Sequence, residues 1–112
     1  MASRSRQKGN RAEREIVDLH RELGIEAQRV PLSGSAGGRF AGDVQVYPFG
    51  SDAPPISGEV KARGQGQGFA TISRWLGNND VLYLRQDRAA PFMVVPWRTW
   101  EKLLAAIPRK TA

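Results

Sequence analysis

The chain contains Gly42-Asp43-Val44-Gln45-Val46-Tyr47 and, after a proline-containing turn, Ile56-Ser57-Gly58-Glu59-Val60-Lys61. The first segment alternates as a strand from Val44, and residues 56–63 read as the returning strand, so the pair predicts an antiparallel hairpin with a long loop. Successive side chains on a strand point to opposite faces. Glu59 and Lys61 therefore share a face while Val60 points into the core. Asp43 begins the neighbouring strand, where its carboxylate can meet them.

The segments around this hairpin predict alternating helices and strands. Asn10 is a favourable N-cap with Glu13 three residues later, as in a capping box, so a helix is predicted from there to Gly24. The other predicted elements are a strand at residues 25–30, a helix at 69–76, central apolar strands at 81–84 and 92–95, and a helix between Pro96 and Pro108. This order predicts an α/β fold with a mixed sheet of about five strands flanked by helices.

A chain of 112 residues has the length of one domain, so we expect a single domain over residues 1–112. Residues 1–9 carry three cations and no apolar run, and we expect them to form a mobile basic arm. There is no cysteine, which excludes disulfides and thiolate metal sites. No apolar run reaches the ~18 residues of a transmembrane helix, and no secretory signal is present. An intracellular, cytoplasmic location is therefore expected.

The charge balance is strongly basic. Seventeen lysines and arginines oppose eleven acids, for a net charge of +6 and a pI near 10.5. Most of the cations are arginine, the side chain suited to bidentate phosphate contact. This composition favours nucleic acid as the partner. General solubility and an acidic protein partner are the alternatives.

Asp43, Glu59 and Lys61 together predict a site for phosphodiester cleavage. The carboxylates are hard oxygen ligands for Mg²⁺, and the lysine can orient or deprotonate water or offset charge in the transition state. Glu13 lies on the shoulder of the apolar face of its helix and can reach inward to the same place. Each residue also has a simpler explanation, as an exposed ion pair, a turn aspartate or a capping residue.

Other kinds of site find little support in the sequence. The only histidine, His20, excludes a metal site built on histidines. The glycine-rich residues 31–42 lack Walker spacing, so we expect no nucleotide cofactor. Backbone of this kind, with serine and arginine in it, can still approach phosphate closely.

Four motifs carry a resemblance to a known family. They are Lys8-Gly9-Asn10-Arg11-Ala12-Glu13-Arg14-Glu15, Gln28-Arg29-Val30-Pro31-Leu32-Ser33-Gly34, Gly42-Asp43-Val44 and Gly58-Glu59-Val60-Lys61. Over residues 8–63 the chain resembles the archaeal-type Holliday junction resolvases, which belong to the PD-(D/E)XK, or restriction-endonuclease-like, nuclease superfamily. Related enzymes occur in viruses. The chain departs from the family pattern at Gly42, where the family has proline, and after Lys61.

The resemblance implies a restriction-endonuclease-like core with Glu13, Asp43 and Glu59 as metal-site acids and Lys61 as the catalytic lysine. It implies Mg²⁺, with Mn²⁺ as a substitute, and a homodimer that nicks opposed strands of four-way DNA junctions. A viral member would act in the host cytoplasm. Side chains expected at the DNA are Arg4, Arg6, Lys8, Arg11, Arg29, Ser33, Ser35, Arg39 and Arg63. The alternatives are a nuclease for flaps, nicks or ends, and a non-catalytic DNA-binding module of the same fold.

Overall fold

The computed structural model describes residues 4–30, 42–64 and 67–108 of the chain. Its elements are α1 (Arg4–Glu22), β1 (Glu26–Arg29), β2 (Val44–Tyr47), β3 (Ile56–Gly58), α2 (Gln67–Leu76), β4 (Leu82–Leu84), β5 (Phe92–Val94) and α3 (Trp97–Ala105). This order confirms the predicted α/β class. The strands form two antiparallel sheets, β1-β2-β3 and β4-β5, rather than the single mixed sheet that the sequence predicts.

Contacts divide the chain into two compact units. The first is Met1–Ala62 with Ile107–Ala112, and the second is Arg63–Ala106. The prediction of a single domain over residues 1–112 stays a prediction. All four residues of the predicted catalytic set belong to the first unit.

The core of the first unit forms where α1 packs on β1 and β2. Val17 of α1 is buried together with Ala27, Val44 and Val46 of the sheet, and Val60 packs against this cluster. Full burial of an aliphatic side chain of this size contributes about 1.5–3 kcal/mol. A small core of this kind therefore fixes α1 against the face of the sheet on which Ala27, Val44 and Val46 lie.

The end of α1 confirms the predicted stop at Gly24. This glycine has φ +79°. Its N–H donates to the Arg21 carbonyl at 2.9 Å, and the Ile25 N–H donates to the His20 carbonyl at 3.0 Å. These two bonds make a Schellman motif, which satisfies helical carbonyls that would otherwise lack donors. The chain then turns directly into β1.

The beginning of α1 differs from the prediction. The helix starts at Arg4 rather than after Asn10, so residues 4–9 are helical and the predicted mobile arm over residues 1–9 is wrong for them. Arginine, glutamine and lysine are good helix formers, and no proline interrupts the segment. The predicted capping box is wrong for the same reason, because Asn10 and Glu13 lie inside the helix.

The returning strand β3 is shorter than predicted and ends at Gly58 rather than at Arg63. The next backbone donor that could extend the ladder, the N–H of Val60, instead donates to the side chain of Asp43 at 2.8 Å. A buried or half-buried N–H needs only one partner. Glu59 and Lys61 therefore continue the strand direction outside the ladder.

The second unit contains α2, the β4–β5 hairpin and α3. The sequence predicts β4 and β5 as central strands, and this is wrong. Among the described residues they pair only with each other, and Tyr83 and Phe92 are 62% and 71% exposed. The helix after Pro96 is confirmed, with Pro96 at its N-cap, and it ends at Ala105.

None of the helices in the described part of the chain is long and apolar enough to cross a membrane.

Candidate active site

The strand register brings the predicted site residues to one end of the three-stranded sheet. Arg29 of β1 pairs with Val44 of β2, and Val44 pairs with Gly58 of β3. Asp43 and Glu59 are the residues that immediately follow this row on their segments. This edge is called the Asp43 end of the sheet below. Residues far apart in the sequence meet there because the three strands are antiparallel.

Asp43 connects three segments at this end. Its N–H donates to the Gly58 carbonyl at 2.8 Å, and its carbonyl accepts from the Val30 N–H at 2.9 Å. Its carboxylate oxygen Oδ2 accepts from the Val60 N–H at 2.8 Å. The side chain is thus aimed at the segment that carries Glu59 and Lys61. A carboxylate that accepts a backbone N–H is also fixed in orientation, as a metal ligand must be.

Gly42 lets the chain reach this position. Its φ is +89°, a conformation that residues with a Cβ rarely adopt. A Cβ added at Gly42 would lie 3.0 Å from the Gly58 carbonyl oxygen. The departure from the proline of the family pattern therefore has a local cause, since this backbone needs a positive φ and proline locks φ near −65°.

Glu59 and Lys61 lie on the same side of their segment, as predicted. Glu59 Oε1 is 3.9 Å from Lys61 Nζ, and their side chains are 55% and 63% exposed. Val60 between them packs against the core, which confirms the predicted alternation. An ion pair of this length and exposure contributes little to stability. The two charges are accordingly available to substrate or to a cation.

Glu13 approaches the sheet through Arg29. The Arg29 Nε donates to Glu13 Oε1 at 3.1 Å, and Arg29 Nη2 donates to Asn10 Oδ1 at 2.9 Å. The Glu13 and Arg29 side chains are 16% and 27% exposed. Glu13 thus faces inward from α1, as the helical periodicity predicts, and it contacts a strand of the sheet.

A family model for archaeal Holliday junction resolvase (Hjc) matches residues 4–66. The chain belongs to this family. The match spans more than half of the chain and includes the whole predicted catalytic set. The searches of curated proteins and of solved structures found no match. Membership of the resolvase family indicates a nuclease that acts on branched DNA, and it confirms the resemblance that the motifs carry.

The structure brings only part of the resolvase-type site together. In the described ranges, no three histidine, aspartate or glutamate side chains are arranged to hold a metal ion. Carboxylates repel one another unless a cation lies between them, and the cation that Glu13 contacts is Arg29. Asp43 and Glu59 lie on adjacent segments, and Glu13 is in an ion pair. The roles of the three acids as metal ligands and of Lys61 in catalysis stay predictions.

The residues predicted at the DNA fall into three groups. Lys8, Arg11 and Arg63 are exposed. Arg29 is half-buried and bound to α1. The side chains of Arg4 and Arg6, and the whole of Ser33, Ser35 and Arg39, lie outside the described residues.

Sequence reasoning missed Asn10 as a partner of Arg29. The available signal was its spacing from Glu13, because residues three apart lie on one face of a helix.

Proposed function

We propose that this protein is a Mg²⁺-dependent endodeoxyribonuclease that resolves four-way DNA junctions by paired nicks. The observation that supports this most strongly is the family match over residues 4–66, which contains Glu13, Asp43, Glu59 and Lys61. The register of the sheet adds support, because it places Asp43 beside the segment of Glu59 and Lys61. The site residues, the metal and the dimer are parts of the proposal.

The chemistry of the side chains at the Asp43 end fits Mg²⁺. This ion prefers one or two carboxylates and keeps positions for water and substrate phosphate oxygens. Asp43 and Glu59 supply carboxylates, Glu59 is exposed, and Glu13 would complete the set. Mn²⁺ takes the same oxygen ligands. When bound, the ion polarises the scissile phosphate and lowers the pKa of a coordinated water.

The chain's own groups then position DNA and manage charge. Lys61, whose Nζ is 3.9 Å from Glu59 Oε1, would orient or deprotonate the attacking water or stabilise charge on the pentavalent phosphate. Exposed Lys8, Arg11 and Arg63 would contact phosphates, which gives affinity that falls as salt rises. A homodimer would match its two-fold axis to that of the junction and place one site at each of two opposed strands.

The test is a cleavage assay on a four-way junction, a flap and a linear duplex, each with Mg²⁺ and with EDTA. We expect junction cleavage only with Mg²⁺. Equal cutting of all three substrates would contradict resolvase selectivity and favour a nuclease for other DNA structures. Salt-sensitive junction binding without any cleavage would favour the non-catalytic binding module.

Two site variants sharpen this assay. Asp43→Asn keeps an oxygen that accepts the Val60 N–H but loses the charge, and Lys61→Ala removes the ammonium. Each should lower the cleavage rate at least about a hundredfold. Junction affinity should change by no more than about threefold, because other cations supply most phosphate contacts. Asp52→Asn in the hairpin turn and Lys102→Ala on α3, both exposed, are the matched controls.

A further inference from the structure

Two side chains one helical turn apart hold the guanidinium of Arg29. Glu13 accepts from Nε at 3.1 Å and Asn10 accepts from Nη2 at 2.9 Å. A guanidinium carries more N–H donors than these two bonds use. Because the Arg29 side chain is 27% exposed, part of this group reaches the surface. It is therefore an arginine held in one orientation with donors left for another acceptor.

Arg29 lies next to the proposed catalytic residues. It is the last residue of β1 and is in register with Val44, and the following residue, Val30, donates its N–H to the Asp43 carbonyl at 2.9 Å. A guanidinium fixed at this place can bind a phosphate oxygen of a DNA strand that lies along the Asp43 end of the sheet. Its orientation then decides where the strand is held.

The two partners of Arg29 differ in charge, and this difference gives Asn10 its role. Glu13 is also a proposed Mg²⁺ ligand, so its carboxylate has two possible cations to bind. The amide oxygen of Asn10 is neutral and has a weaker attraction for a metal ion. When a cation engages Glu13, Asn10 is the acceptor that stays on Arg29.

We propose that Asn10 is a positioning residue that keeps the Arg29 guanidinium aimed at the DNA backbone, with a larger effect when a divalent cation is bound. The inference rests on the proposed function, because it needs a junction-binding site at the Asp43 end. It concerns the orientation of a phosphate ligand and not a group that touches the reacting atoms.

A purely structural role for Asn10 makes the opposite prediction about stability. Asn10 lies inside α1, and asparagine is a poorer helix former than alanine. If the residue served only the helix, Asn10→Ala would leave DNA binding unchanged and keep or raise the melting temperature. If it positions Arg29, the same variant loses affinity while the helix remains intact.

The experiment measures the dissociation constant for an uncut four-way junction in EDTA and in Ca²⁺, a hard cation that also takes oxygen ligands. Asn10→Ala should weaken binding about threefold in EDTA, where Glu13 still holds Arg29, and about tenfold in Ca²⁺. Asn10→Asp should restore binding, because a carboxylate oxygen can accept the same hydrogen bond. Gln7→Ala, an exposed amide residue of the same helix, should bind like the wild type.

A double-mutant cycle shows whether the effect passes through Arg29. In an Arg29→Ala background, Asn10→Ala should have no further effect. Wild-type affinity of Asn10→Ala in both buffers, or an undiminished loss in the Arg29→Ala background, would overturn the inference. Equal losses in EDTA and Ca²⁺ would overturn its link to the cation. Failure of the wild-type protein to bind or cut junctions would instead contradict the proposed function.

Discussion

At the scale of single residues, the Asp43 end of the sheet depends on one glycine and one carboxylate. Gly42 allows the chain to turn with φ +89° close to the Gly58 carbonyl, and Asp43 then bonds to both neighbouring segments. The alternation of Glu59, Val60 and Lys61 was predictable from the sequence, because it follows from strand geometry alone. The bonds of Arg29 to Asn10 and Glu13 were not, because they depend on how α1 packs against β1.

Gly42→Ala should destabilise the protein by about 1–3 kcal/mol, since alanine must adopt a positive φ and its Cβ would meet the Gly58 carbonyl oxygen at 3.0 Å. Urea unfolding followed by circular dichroism measures this loss. Gly50→Ala is the matched control, because Gly50 has φ +100° with no atom within 4 Å of an added Cβ. Equal destabilisation of the two variants would show that the contact with Gly58 carries no cost.

Glu13→Gln should reduce junction cleavage more than tenfold, because it removes a carboxylate that we assign to the metal site. It should also cost about 1 kcal/mol of stability, because a neutral acceptor replaces the half-buried partner of Arg29. Glu15→Gln, on the exposed side of the same helix, should change stability by less than about 0.5 kcal/mol and leave cleavage near the wild-type rate. Similar losses of cleavage in both variants would contradict the assignment of Glu13.

At the scale of elements, the reliable predictions were those with a local cause. The stop at Gly24, the strand at Val44–Tyr47 and the helix after Pro96 follow from glycine, alternation and proline, and all three are confirmed. The start of α1 was predicted six residues too late, because a residue pattern that resembles a capping box also occurs inside a helix. Sheet membership failed for β4 and β5, since an apolar composition does not specify which strand pairs with which.

Gly9→Ala tests whether α1 begins at Arg4. Gly9 lies inside the helix and an added Cβ would meet no atom within 4 Å, so alanine should stabilise the protein by about 0.5–1 kcal/mol. The melting temperature should rise accordingly. Gly64→Ala, a position outside the helices with equally open space, is the control. An unchanged melting temperature for Gly9→Ala would return residues 4–9 to the status of an unstructured arm.

At the scale of the whole molecule, the family match ends close to the boundary between the two compact units. The match covers residues 4–66, and the first unit extends to Ala62 before the chain enters the second. The proposed catalytic residues thus lie in the part of the chain that the resolvase family defines. Residues 67–106 lie beyond the match, which is why the sequence motifs had little to say about β4, β5 and α3.

The proposed homodimer predicts a molecular mass in solution of twice the 12.4 kDa of the chain. Two copies are expected because a four-way junction has two equivalent strands to nick, and a closed two-fold dimer supplies one site for each. Sedimentation equilibrium over a range of concentrations measures the mass. A chain that remains monomeric at every concentration, and also when bound to a junction, would contradict paired nicking by one assembled enzyme.

The bond between the Val60 amide and the Asp43 carboxylate has a practical consequence. A single backbone proton is tied to a side chain at the heart of the proposed chemistry, while the Val60 side chain is anchored in the core. Its NMR resonance should therefore register any ion that engages that carboxylate, without an attached label. The enzyme thereby carries a built-in spectroscopic reporter, which can be watched during a titration in which no DNA is present.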